Sequence, residues 1–206
     1  MPVSYFRPSS QACAELDIKK SRFICYLAPV SGRAAADDFV QTIKARHPKA
    51  NHNCWSYIAG RPDDAGQWNS SDDGEPKGTA GQPMLNILQH SGLGEVCTVV
   101  TRYFGGIKLG TGGLVRAYGQ AVQEALKLAS LEAVIPQLSI TLSAPYTFTG
   151  ELEQLLGRFK IDVKERRFEH DLCVHGHIDA SQLTALQQAL VPVQHKISLR
   201  VNSAHP

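Results

Sequence analysis

The stretch 101–118, TRYFGGIKLGTGGLVRAY, sets five glycines (Gly105, Gly106, Gly110, Gly112 and Gly113) between an apolar, strand-like run at 96–100 and a helical run at 114–129. Glycine is costly to order, and it serves where the backbone must reach positive φ or where another group must approach the main chain closely. Three cations, Arg102, Lys108 and Arg116, stand among these glycines. A permissive turn with cations, opening into a helix, is a site for an anionic group. The competing reading is tight strand-to-helix packing, which needs the same glycines.

Working outward, residues 95–104 alternate so that Val96, Thr98, Val100, Arg102 and Phe104 share one face of a strand. In the helix that follows, Leu114, Ala117, Ala121, Ala125 and Leu128 make the apolar stripe, opposite Arg116, Gln120, Gln123 and Lys127. Upstream, 60–81 is dense in Gly, Pro, Asp and Ser and has no apolar periodicity, which is long for an ordinary connection and marks a functional loop. Pro83 suits the first turn of a helix carrying Met84, Ile87 and Leu88. Earlier, 21–27 and 54–59 read as strands and 33–47 as a helix stopped by Pro48. Near 133–137 the pattern changes, and strand, helix, two strands, helix and strand follow, the βαββαβ order of a ferredoxin-like unit. The expectation is an α+β chain of two domains, 1–136 and 137–206.

The 206 residues are 43% hydrophobic and 19% charged, an ordinary balance for a globular protein. The formal charge is only +2 and falls within residues 1–136, so any nucleic-acid site must gather its cations locally. Five cysteines without a CxxC pair suit a reducing compartment, and no apolar run reaches the length of a membrane span. A cytoplasmic protein with no export signal and no membrane partner is expected.

Neither standard nucleotide motif is present. The spacing from Gly105 to Gly110 fits a Walker A loop, but Thr111 stands where its lysine belongs; in the dinucleotide pattern Val115 replaces the third glycine. What remains is the free N–H groups at Gly112 and Gly113, just before the helix, with Arg116 in its first turn opposing the macrodipole and needing an anionic partner. A second constellation, SDDGEPKGTAG at 71–81, brings Asp72, Asp73 and Glu75 within four residues, beside Lys77. These carboxylates suit Mg²⁺ with water and phosphate oxygens, pairing with Arg102 and Arg116, or a solvated turn. Cys173, His175 and His177 share one strand face but lack a fourth metal ligand, and His52 with Cys54 reads as packing; no metal site and no bound cofactor are expected. No catalytic set can be assembled from order and spacing. The geometry required of an anion site is that Arg102 and Arg116 converge, with the 72–81 loop beside them. Divergence would leave the glycines to packing.

HNCWSYIAG at 52–60, DDGEPKGTAGQP at 72–83 and RYFGGIKLGTGGLVRAYG at 102–119 together resemble the IMPACT family, and the length and layout are similar to its bacterial YigZ-like members. The resemblance implies a ribosomal-protein-S5-domain-2-like first domain followed by a ferredoxin-like βαββαβ domain, architectures common among RNA and ribosome partners. It also implies a link to regulation of translation. Eukaryotic members act on a starvation-responsive kinase through an extra N-terminal domain not found in these 206 residues, so translation-linked binding is what carries over.

Two functions are therefore expected to compete. One is a non-enzymatic factor binding RNA, the ribosome or a protein of the translation machinery, with Arg102, Lys108, Arg116 and Lys77 meeting phosphates and Tyr103, Phe104 and Tyr118 stacking on bases or packing. The other is a small Mg-dependent enzyme using a phosphoester or nucleotide, with the acidic loop as metal ligands.

Overall fold

The computed structural model describes residues 4–202. The chain is α+β and divides into two compact units, residues 5–134 and residues 135 onward together with Ser4.

The first unit is built on a five-stranded sheet. In chain order its elements are β1 (Tyr5–Pro8), β2 (Ala12–Ile18), β3 (Ser21–Pro29), α1 (Gly32–Arg46), β4 (His52–Ile58), β5 (Trp68–Ser71), α2 (Gly81–Ser91), β6 (Val96–Tyr103), α3 (Thr111–Leu128) and β7 (Leu131–Val134). The sheet order is β2-β3-β6-β4-β5, every pair antiparallel, with β6 at the centre. Because β6 is covered on both faces, its residues Val96 to Arg102 are all buried. Val96 and Val100 face α2 and α3, packing with Phe23, Met84, Leu88, Ala117 and Tyr118; Cys97 and Val99 face α1, packing with Ala36, Val40 and Ile43. The three layers follow from this alternation. Outside the sheet, β1 and β7 pair antiparallel, and Arg7 ties them by contacts to Glu132 (2.7 Å) and Glu95 (2.5 Å).

The second unit contains β8 (Gln137–Ala144), α4 (Thr149–Arg158), β9 (Asp162–Phe168), β10 (Leu172–Asp179), α5 (Leu183–Leu190) and β11 (Ser198–Val201). Its four strands lie in the order β11-β8-β10-β9, all antiparallel, around a core of Ile140, Leu142, Leu152, Leu156, Val174, Leu186 and Leu190.

Several elements differ from the sequence reading. The loop 60–81 is not irregular throughout: a 3-10 turn at Ala65–Gln67 leads into β5, a strand whose Asn and Ser residues give little β signal. The helix after the glycines begins at Thr111, so Gly112 and Gly113 lie inside its first turn and Gly110 is the residue before it. Leu128, expected on the buried stripe, is 63% exposed at the end of α3, whereas Tyr118 and Val122 are buried. The stripe turns with the 3.6-residue period, and one residue's error in phase at the helix end is enough to move Leu128 outside.

Two glycines explain the junction's shape. At Gly105 a Cβ would collide with the Lys20 carbonyl in the β2–β3 turn, so its role is close packing. Gly110 has φ of +73°, a backbone that side chains resist, and it turns the chain into α3. Gly112 has neither constraint, since a Cβ there would meet no atom within 4 Å. Gly112→Ala is therefore expected to raise unfolding free energy by about 0.5–1 kcal/mol, read by urea denaturation. A loss of stability would show that the N-terminus of α3 is tighter than described.

Candidate functional site

At the junction between β6 and α3 lies a cleft of about 400 Å³, lined by Asn51, His52, Glu75, Pro76, Arg102, Phe104, Lys108, Leu109, Gly110, Thr111 and Leu114. Strand pairing builds its inner wall. Arg102 lies opposite Phe23 of β3 on one side and His52 of β4 on the other. The Arg102 side chain is only 7% exposed, and its guanidinium carbon lies 5.4 Å from the centre of the Phe23 ring and 5.6 Å from that of Phe104. Such contacts favour a cation that has lost water.

The compensating charge is Glu75, whose side chain is 3% exposed. Its Oε1 accepts from Arg102 Nη1 at 2.5 Å and from the Tyr118 hydroxyl at 2.9 Å. Burial foremost, with Cys54 and Glu75 adding, pushes the Tyr118 hydroxyl well above its ordinary pKa, so it stays a neutral donor. Burial likewise raises Cys54, whose thiol donates to the Asp72 carbonyl at 2.9 Å and is not a nucleophile. His52 Nδ1–H donates to the Asp73 carbonyl at 2.9 Å, leaving Nε2 3.9 Å from Glu75 Oε1. Arg102 Nε is buried and has no hydrogen-bond partner among the described residues.

The acidic loop reaches the site, but its three carboxylates part company. Only Glu75 enters the cleft. Asp73 Oδ1 pairs with Lys44 at 2.6 Å, and its Oδ2 accepts from the Asn53 N–H at 2.6 Å. Asp72 Oδ1 accepts from the N–H groups of Ala80 (3.0 Å) and Gly81 (2.8 Å), and Oδ2 from Gly78 (2.7 Å). It thereby caps the start of α2 from a distance, satisfying donors that the helix itself leaves free. Among the described residues no group of three or more His, Cys, Asp or Glu is placed to hold a metal ion.

The cations also differ from expectation. Lys108 lines the cleft. Arg116 does not: α3 starts at Thr111, so Arg116 falls in the second turn, exposed. The cleft therefore brings Arg102 together with Lys108 and not with Arg116. Lys77 is exposed outside the cleft. Tyr103 follows Arg102 in β6 and so points to the opposite face, where His47 bridges its hydroxyl and that of Tyr26 at 2.8 Å each. Tyr118 is core, edge-on to Phe23 at 5.3 Å. Gly106 lies in the turn between β6 and α3 with φ of +87°. In the second unit, Cys173, His175 and His177 do share a face, but Cys173 bonds Ser143 (2.7 Å) and His175 bonds Thr141 (2.9 Å) across β8.

Sequence reasoning missed Asn51, Thr111 and the part played by His52. Asn51 Oδ1 accepts from the Phe104 N–H at 2.8 Å and fixes the chain as it leaves β6. The signal for His52 was its place at the strand start opposite Arg102, a register that only the pairing of β4 with β6 reveals.

Fold and site together define an antiparallel, three-layered α+β module with a cationic cleft at a strand-to-helix junction. The Impact N-terminal domain model matches residues 19–126, just over half of the chain. An IMPACT family member of Haemophilus influenzae is 46% identical over 170 residues, 82% of each chain. IMPACT family member YigZ of Escherichia coli (strain K12) is 48% identical over 155 residues, 75% of this chain and 76% of its own. A solved structure described as a hypothetical protein is 38% identical, covers 100% of this chain and 99% of its own, and superposes with a TM-score of 0.71. The chain belongs to the IMPACT family and is a YigZ-like member of it.

Two stability tests follow from the site. Removing one member of the buried pair, as in Glu75→Leu or Arg102→Met, is expected to cost about 3–5 kcal/mol, while the double variant Glu75→Leu with Arg102→Met recovers much of that loss. Chemical denaturation of the single and double variants checks it, and additive losses would count against coupling. Burial by itself would raise the Asp72 pKa, but the donors from Gly78, Gly81 and Ala80 outweigh it and hold the carboxyl below its ordinary 3.8. A lowered folded pKa contributes stability above the unfolded value, and that contribution is lost as pH falls through the folded one. Asp72→Asn should therefore cost about 1–2 kcal/mol at neutral pH. The gap to the parent protein should narrow below about pH 4, as measured by denaturation across pH.

Proposed function

We propose that this chain is a non-enzymatic factor that binds RNA or the ribosome and acts in the regulation of translation. The observation that carries the reading is Arg102: a cation buried at the wall of a cleft, beside Lys108 and the N-terminus of α3, which has no side-chain cap. Helix N-termini and basic side chains favour anions, and phosphate is the anion that RNA supplies at every residue. In this reading the first unit has the ribosomal-protein-S5-domain-2-like fold. The second is ferredoxin-like, its strands running fourth, first, third, second across the sheet. The partner is RNA, the ribosome or a protein of the translation machinery, met in the cytoplasm. Among the described residues no helix is long and apolar enough to cross a membrane.

The Mg-dependent alternative draws no support from the acidic loop, since Asp72, Asp73 and Glu75 are engaged with α2, Lys44 and Arg102 respectively.

The test is co-sedimentation of the full chain with ribosomes across a salt series. Binding is expected to fall steeply with salt and to drop at least several-fold in Lys108→Glu, an exposed position whose change leaves folding intact. Salt-insensitive association, or parent-level binding by Lys108→Glu, overturns the reading.

A further inference from the structure

The cleft leads down to Arg102 and does not present it at the surface. With the arginine side chain 7% exposed, an anion meets it only by entering the cleft; one lying across the surface stays out of reach. Glu75 holds the guanidinium it then meets through Nη1, and Arg102 itself lines the cleft. On another side of the same cleft, α3 begins at Thr111 with Gly110 before it and no side-chain cap, so its first N–H groups have no capping acceptor. Space is open there, because a Cβ on Gly112 would touch nothing. Lys108 completes the cationic set. Glu75 also lines the cleft, with Arg102 and Tyr118 both donating to its Oε1.

From this geometry we infer that the cleft takes a phosphate monoester, the terminal group of a nucleotide unit, in preference to the internal diesters of a continuous strand. A diester carries a sugar on each side, and both flanks must find a way out of the cleft. A monoester has one flank, three free oxygens to share among the Arg102 guanidinium, Lys108 Nζ and the α3 N–H groups, and a charge of about −1.5 to −2 at neutral pH. The volume of about 400 Å³ is that of a small-ligand site and suits one such unit. Phe104, 45% exposed at the rim, provides an aromatic surface on which the attached base stacks. The same chemistry is offered by a free mononucleotide and by the phosphorylated end of an RNA strand. The inference rests on the anion-binding reading of this site given above.

The test is equilibrium binding of the full chain, at one fixed ionic strength, to a short single-stranded RNA carrying a 5′-phosphate, a 3′-phosphate or hydroxyls at both ends, with adenosine 5′-monophosphate against adenosine in parallel. The inference expects a terminal phosphate to tighten binding by about tenfold or more, and Lys108→Ala to erase that gain without shifting the unfolding temperature. If all three RNAs bind alike and tightly, RNA binding stands and the monoester inference is overturned. If the mononucleotide binds and no RNA does, the inference stands and RNA binding is overturned. If nothing binds, both are.

Discussion

The ion pair between Arg102 and Glu75 is the contact on which the rest of the first unit's architecture turns. Arg102 belongs to the central strand of the sheet, Glu75 to the loop before α2, and Tyr118 to α3; one carboxylate oxygen joins all three. Neither charge has water to fall back on, so each requires the other in place. The pair thereby sets where the loop crosses the sheet, and Arg102 also lines the cleft. The aromatic rings of Phe23 and Phe104 flank it, which suits a cation held out of solvent.

The loop that delivers Glu75 is held by unrelated means. Asp72 spends both oxygens on backbone donors at the start of α2, and Asp73 spends its own on Lys44 and the Asn53 N–H. Three carboxylates adjacent in sequence thus answer three separate demands of the backbone and the neighbouring elements. An acidic run in a loop is for this reason poor grounds for a metal site: each side chain leaves the chain in its own direction, and buried donors compete for it. The glycines of the junction divide in the same way. Gly105 is there because the β2–β3 turn comes too close for a side chain, Gly110 because the chain reverses at positive φ, and Gly112 faces open space beside the cleft.

Family membership does not by itself assign a reaction, since these relatives are named as IMPACT family members and by no activity. The chemistry therefore has to be argued from the cleft itself. Its buried cation, Arg102, is paired with Glu75, which separates the cleft from a surface patch that would bind any polyanion.

Much of the chain was legible from sequence because periodicity reports burial. The alternation at 95–104 marked β6, the spacing of Leu114, Ala117, Ala121 and Ala125 marked α3, and the order of elements after 137 was evident. Less visible were β5, whose Ser and Asn residues have little strand preference, and the true start of α3, because glycine inside a first turn reads as loop. Sequence also singled out Arg102, Lys108 and the 72–81 loop by residue type. Only the tertiary structure decided which of them meet. Strand pairing put His52 beside Arg102 and sent Tyr103 to the other face, the helix phase left Arg116 out of the cleft lining, and Glu75 alone of the acidic residues was turned inward. Local pattern determines what an element is, but register and packing between distant segments determine which side chains share a site, and those depend on contacts that no short stretch of sequence contains.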